Sequence, residues 1–317
     1  MMNKEKLKNI KGLTLIEILI GVAVTALMMG AMITSYTLVN NSYNQVTDRA
    51  KVSRSSRDIV GMMVRDIRLA GFKYYFGENV EGIAQFEDLT HVAGNEDGRT
   101  IDDSHDPIIV FKDRLGYSPK DLTASVDGTT GANKWTDLKS KCCDQIRIVY
   151  GDFSKGEDQK YKKYRITYYA MPMQKNENDK FYGVYKAKET WIETDATPLG
   201  SWSSSCAECY KNELIRSHLV DMEFLLFDEN GKHLFNIDTR TYPQPDNASS
   251  ADLYRIAQVD FRLTFRSQKD FYRTIGTDQK QRLVLGLGDD REAENFNDKY
   301  LRDSVVVSVS TRNIGLD

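Results

Sequence analysis

Proline is scarce in this 317-residue chain: there are six, and the first stands at Pro107. The opening hundred residues therefore hold no proline to break a helix. Glycine numbers 21, with no Gly-rich tract and no internal repeat, which excludes a fibrous or low-complexity chain. Four cysteines, Cys142, Cys143, Cys206 and Cys209, are too few for a dense disulfide scaffold but enough for two local staples. A basic excess is also missing, since 43 Lys and Arg against 46 Asp and Glu leave a net charge of −3. That is the wrong sign for a general nucleic-acid binder, which must neutralise phosphates. Catalytic signatures are absent too. His91, His105, His218 and His233 lack metal-ligand spacing, and there is no Gly-x-Ser-x-Gly elbow, phosphate-binding glycine loop or paired-carboxylate motif. Asp102, Ser104 and His105 are neighbours in sequence, but a triad is defined in space, so they read as surface polar residues. The expectation is a non-enzymatic protein with no cofactor.

What is present is apolar material, 40% of the residues, and it is unevenly placed. Residues 1–12 form a short basic leader with Lys4, Lys6, Lys8 and Lys11 against Glu5 alone. From Leu13 to Val39 the one charge is Glu17, and Ile18 to Val39 has none. At a rise of ~1.5 Å per residue that uncharged run spans about 33 Å, enough to cross the hydrocarbon of a bilayer. The basic leader predicts a cytoplasmic N-terminus and a head outside the cytoplasm. An ordinary secretory signal has a shorter apolar core followed by a small-residue cleavage site, and this run fits neither. A plain signal anchor leaves Glu17 unexplained, because a carboxylate at membrane depth costs roughly 2.5–3.5 kcal/mol without a partner. Cleavage between Gly12 and Leu13 would place a new terminal ammonium within reach of such a glutamate on a neighbouring subunit.

The string Lys11-Gly12-Leu13-Thr14-Leu15-Ile16-Glu17, behind a basic leader and ahead of a long apolar helix, resembles the class III signal of type IV pilins and type II secretion pseudopilins. The resemblance implies cleavage after Gly12 by a prepilin peptidase, N-methylation of Leu13, and Glu17 as the glutamate that guides subunit docking. Leu13 stands where the family most often has Phe. Arg65 to Phe72 and the C-terminal string VVVSVSTRN from Val305 to Asn313 resemble the corresponding regions of PilW-type minor pilins, although Phe72-Lys73 lacks the cysteine found there in many relatives. This implies a minor pilin of the priming complex, placed in the inner membrane by one span and then at the pilus tip. Its partners would be the peptidase, the inner membrane, and other minor and major pilins. A minor pseudopilin shares the same leader, and a membrane-anchored binding or adhesin domain for a surface ligand is the reading from another class.

Beyond Val39 the helical period continues. Val52, Ile59, Met63, Ile67 and Ala70 fall on one face, Arg and Asp residues on the others, and Gly71 is a natural C-cap. Thereafter the period becomes two: Ile146 to Tyr150, Tyr164 to Ala170, Val220 to Leu226, Val259 to Phe265 and Val305 to Val309 alternate as half-buried strands, with Pro107 to Phe111 as a short edge strand. Helix first and strands afterwards predicts an α+β fold, with a long N-terminal helix packed by its soluble half on an antiparallel β-sheet head. The predicted divisions are leader 1–12, transmembrane and assembly helix 13–39, amphipathic continuation 40–72 and head 73–317, with insertions at 112–145 and 172–213.

Three clusters have plainer readings. The four cysteines could bind zinc if they converged, but an oxidising compartment favours disulfides; a vicinal bridge would be strained, so each of Cys142 and Cys143 is expected to pair with one of Cys206 and Cys209. Glu96, Asp97, Asp102, Asp103 and Asp106 match no calcium loop and read as solvated acids, so no metal is expected. Lys160 to Arg165 mixes basic and aromatic residues as single-strand binders do, yet it reads as a solvated strand edge. DNA remains a partner only through the family's part in DNA uptake.

Overall fold

The computed structural model describes residues 14–72, 106–117, 142–153, 161–173, 181–194, 197–234, 241–242, 256–271, 282–288, 293–296, 298–312 and 314. The fold is α+β: one long helix, α1 (Leu15–Leu69), then strands that build a large antiparallel sheet. The chain divides into two units within α1, Met1–Ala50 and Lys51–Asp317.

In the second unit α1 buries the face the sequence marked. Val52, Ile59, Met63, Ile67 and Ala70 are all buried, while Arg54, Arg57, Asp58 and Arg65 are exposed. Ser56 also lies inside, because its hydroxyl donates to the Val52 carbonyl at 2.9 Å and so brings no unmet polar group into the core. Gly71 ends the helix with φ +70°, the left-handed conformation that glycine adopts without penalty. Its amide donates to the Val149 carbonyl at 2.9 Å, and the Gly151 amide donates to the Phe72 carbonyl at 3.0 Å, so the helix terminus is bound directly to the sheet.

The strands are β1 (Ile108–Phe111), β2 (Gln145–Phe153), β3 (Tyr161–Pro172), β4 (Tyr182–Thr194), β5 (Thr197–Ser203), β6 (Tyr210–Phe227), β7 (Thr241–Tyr242), β8 (Gln258–Arg266), β9 (Arg282–Val284), β10 (Glu294–Phe296) and β11 (Arg302–Ser310). The main sheet runs β11-β8-β6-β4-β3-β2-β1-β7, with β5 added to β4, and β9 and β10 form a separate ribbon. Alternation decides the core: Ile146, Ile148, Ile166, Tyr168, Val184, Met222, Phe224, Val259, Phe261 and Leu263 join the helix face in one apolar cluster. The sheet curls, since the Asp144 amide, just before β2, donates to the Met222 carbonyl of β6 at 2.7 Å.

Three sequence expectations are corrected here. Residues 172–213 are not an insertion: they contain β4 and β5, and β4 sits between β3 and β6 in the middle of the sheet. Its charged residues Lys186, Lys188 and Glu189 hid it, because they break the apolar alternation and are accommodated by partners distant in sequence. β1 is not an edge strand, since it pairs with β2 on one side and β7 on the other. The stretch 161–165 is likewise no solvated edge, because β3 lies between β2 and β4 and Arg165 is buried. Of the insertion expected at 112–145, residues 118–141 lie outside the described residues, and Leu115 bridges to Ala170 of β3.

Candidate functional site

Among the described residues, the first unit exposes a long run of apolar side chains. Every residue from Thr14 to Val46 is exposed, including Leu15, Ile16, Leu19, Leu27, Met32 and Ile33. Each large aliphatic side chain left in water forgoes about 1.5–3 kcal/mol, so an apolar face of this length is stable only where lipid or protein covers it. Of the described helices it is long and apolar enough to cross a membrane. Its few hydroxyls are satisfied internally: Thr25 donates to the Gly21 carbonyl at 2.9 Å, Thr34 to the Gly30 carbonyl at 2.7 Å, and Thr37 to the Thr34 carbonyl at 2.9 Å. A Cβ added at Gly21 or Gly30 would meet nothing within 4 Å, so neither glycine is required by packing inside the chain.

At the start of the helix, Thr14 and Glu17 form a capping box. The Thr14 amide and hydroxyl both donate to Glu17 Oε2 at 2.9 Å, and the Glu17 amide donates back to Thr14 Oγ1 at 3.4 Å. Glu17 thus has a local role that the sequence reading did not anticipate, although Thr-x-x-Glu is the visible signal for it. Gly12 and Leu13 lie outside the described residues.

The head is held by buried charge. Asp66 of α1 receives Lys186 of β4 at 2.6 Å and the Tyr168 hydroxyl of β3 at 2.7 Å, which ties helix to sheet across both strands. Burial first, then the Asp66 carboxylate, pushes the Tyr168 phenol far above its ordinary pKa. Asp144 accepts the Phe224 amide at 2.9 Å and the Asp113 amide at 3.2 Å and pairs with Lys112 at 3.0 Å. On the opposite sheet face Arg165 meets Glu189 at 2.7 Å, and Tyr117 donates to the same carboxylate. Burial raises Tyr117 to about 12 against the pull of Arg165. Arg262 bridges Asp221 and Glu223. Among the described residues these charged groups are paired chiefly with one another inside the fold.

The disulfides are Cys142–Cys143 and Cys206–Cys209, which corrects the expected cross-pairing. The reason is distance. Cys142 and Cys143 sit beside Asp221 of β6, whereas Cys209 immediately precedes that strand. From Cys209 to Asp221 β6 runs on the order of 40 Å, far beyond the ~7 Å between Cα atoms that a disulfide allows. The Sγ atoms of Cys142 and Cys143 and a carboxylate oxygen of Asp221 lie within 4.8 Å of one another, but both sulfurs are spent in a bond and Asp221 holds Arg262. Asp106 is buried, while the other four expected loop acids, His91 and His105 fall outside the described residues. His218 stacks on Phe181 at 4.7 Å, and His233 packs tilted against Phe227 at 5.5 Å.

The class defined by these elements is an α+β protein with an exposed apolar N-terminal helix and a curled antiparallel head. No protein-family profile matches the chain, and no curated protein matches it. Among solved structures a type IV-like pilin from Thermus thermophilus is similar at 10% identity and a TM-score of 0.29, over 55% of this chain and 81% of that one.

Proposed function

We propose that this protein is a minor type IV pilin, cleaved after Gly12, methylated at Leu13, and inserted through residues 13–39 into a bundle of pilin helices, with 40–72 as the amphipathic continuation and 73–317 as the exported head. The observation that carries the reading is the conjunction of the Gly12-Leu13-Thr14-Leu15-Ile16-Glu17 string with a helix exposed over its whole apolar length. An isolated span has no need of that string, and a helix destined for a bundle has use for small residues such as Gly21 and Gly30, which allow close approach of neighbours. The role is structural: the helix supplies the assembly interface, Glu17 the docking charge, and the head the surface for other minor pilins. The prepilin peptidase and the inner membrane are the partners before assembly. A priming position at the tip, as in PilW-type proteins, is the finer form of the proposal.

A minor pseudopilin of a type II secretion system obeys the same physics and is separated by location. Fibres sheared from intact cells are expected to contain this chain at a small fraction of the major subunit. Retention of all copies in the cell envelope, with normal fibres outside, would favour the secretion reading instead.

A further inference from the structure

Strand β11 ends the main sheet, and among the described residues it pairs with β8 alone, in an unbroken ladder from Arg302 opposite Arg266 to Ser310 opposite Gln258. Hydrogen bonds just outside its two ends fix which way its backbone faces. The Ser267 amide donates to the Leu301 carbonyl at 2.7 Å and the Thr311 amide to the Ala257 carbonyl at 3.0 Å. Bonding to β8 therefore belongs to the odd-numbered residues, and Arg302, Ser304, Val306, Ser308 and Ser310 direct their N–H and C=O groups away from the sheet.

Open edges are normally guarded by proline, lysine, a bulge or shortness. β5 has Pro198, Gly200 at φ +69° and a register shift against β4, and β7 is two residues long. From Ser304 to Ser310 β11 has none of these, reading SVVVSVS with no charge, and Ser304, Val306, Ser308 and Ser310 are exposed, Val306 by 56%. We propose that β11 pairs antiparallel with β11 of a second copy of this chain, about a two-fold axis at Val306.

The pattern of the strand selects a second copy. Centred on Val306, the pairing sets Val306 opposite Val306, Ser304 opposite Ser308, Val305 opposite Val307 and Arg302 opposite Ser310, so like meets like in size and no two like charges face each other. The outward-facing residues are the ones that meet as hydrogen-bonded pairs, giving roughly ten new backbone bonds. Two copies of an acidic chain repel overall, and this neutral edge is a place where they approach without opposing charges. The pairing does not depend on N-terminal processing and extends beyond the pilin reading.

The test is cross-linking of the full-length chain in membranes of its own cell. The four native cysteines are all in disulfides, so an introduced thiol is the free one. Oxidation of Val306→Cys is expected to give a homodimer on a non-reducing gel. Ser304→Cys and Ser308→Cys chains expressed together are expected to give several-fold more dimer than either alone, because like residues at these positions sit ~13 Å apart along the paired strands. Adding Ser308→Lys to Val306→Cys should abolish the dimer while leaving the monomer at its normal level. Absence of the Val306→Cys homodimer, equal yields from every single variant, or linkage of Cys at 306 to a different protein would each overturn the proposal.

Discussion

Replacing Asp66 with alanine is expected to remove about 3–5 kcal/mol of stability, the penalty for stranding one member of a buried ion pair. Asp66 is the shared acceptor for Lys186 and Tyr168, so its loss leaves a buried ammonium and phenol without the carboxylate that accepts their hydrogen bonds. Arg65 approaches the same carboxylate at 3.5 Å but is largely exposed and returns to water freely. For a unit of this size the loss corresponds to a fall in Tm of roughly 6–20 °C, readable by circular dichroism on the full chain in detergent. Asp66→Asn should cost less, since the amide oxygen still accepts the tyrosine hydroxyl. Combining Asp66→Ala with Lys186→Met should recover most of the loss, because an apolar side chain of similar length removes the stranded charge. A loss below about 1 kcal/mol for Asp66→Ala would mean that Lys186 escapes to solvent, and the helix-to-sheet anchor described above would be wrong.

Substitutions at Glu17 and Thr14 separate the capping contact of Glu17 from the docking role proposed for it. As part of the capping box it needs only an acceptor three residues into the helix, and glutamine meets that need. As a docking group in a bundle of apolar helices it needs its negative charge, and glutamine does not supply one. Glu17→Gln is therefore expected to remove the chain from sheared fibres while leaving its membrane level and N-terminal cleavage intact. Thr14→Ala, which deletes the cap and keeps the charge, should cost about 1 kcal/mol of helix stability and leave the chain in fibres. The opposite order, with Thr14→Ala excluded from fibres and Glu17→Gln incorporated, would reduce Glu17 to a local cap.

How far the sequence revealed this molecule depends on how local each signal is. The helix face of Val52, Ile59, Met63 and Ile67 and the alternation of Val259, Phe261, Leu263 and Phe265 were readable because periodicity and burial are set within one element. β4 was not readable, since its interior accepts Lys186 and Glu189 only by virtue of Asp66, Arg165 and Tyr117, which lie on other elements. The disulfide pairing failed for the same reason: which cysteines meet is decided by the length and course of β6, a strand whose first residues read as loop. At the candidate site, the exposed apolar helix and Glu17 were visible at once. The capping box is equally written in Thr14 and Glu17, since Thr-x-x-Glu at a helix start is a local signal. Strand β11 was visible as a Val-Ser alternation, but its position at the end of the sheet follows only from the strand order among the described residues.

In the proposed function residues 1–12 are removed and the helix beginning at Leu13 enters an assembly. Mass spectrometry of the N-terminal peptide from the native cell, with and without the prepilin peptidase, tests it most directly. The expected peptide starts at Leu13 and carries one methyl group, and it is present only when the peptidase is present. A chain still beginning at Met1 in both strains would contradict it and leave a simple membrane-anchored head.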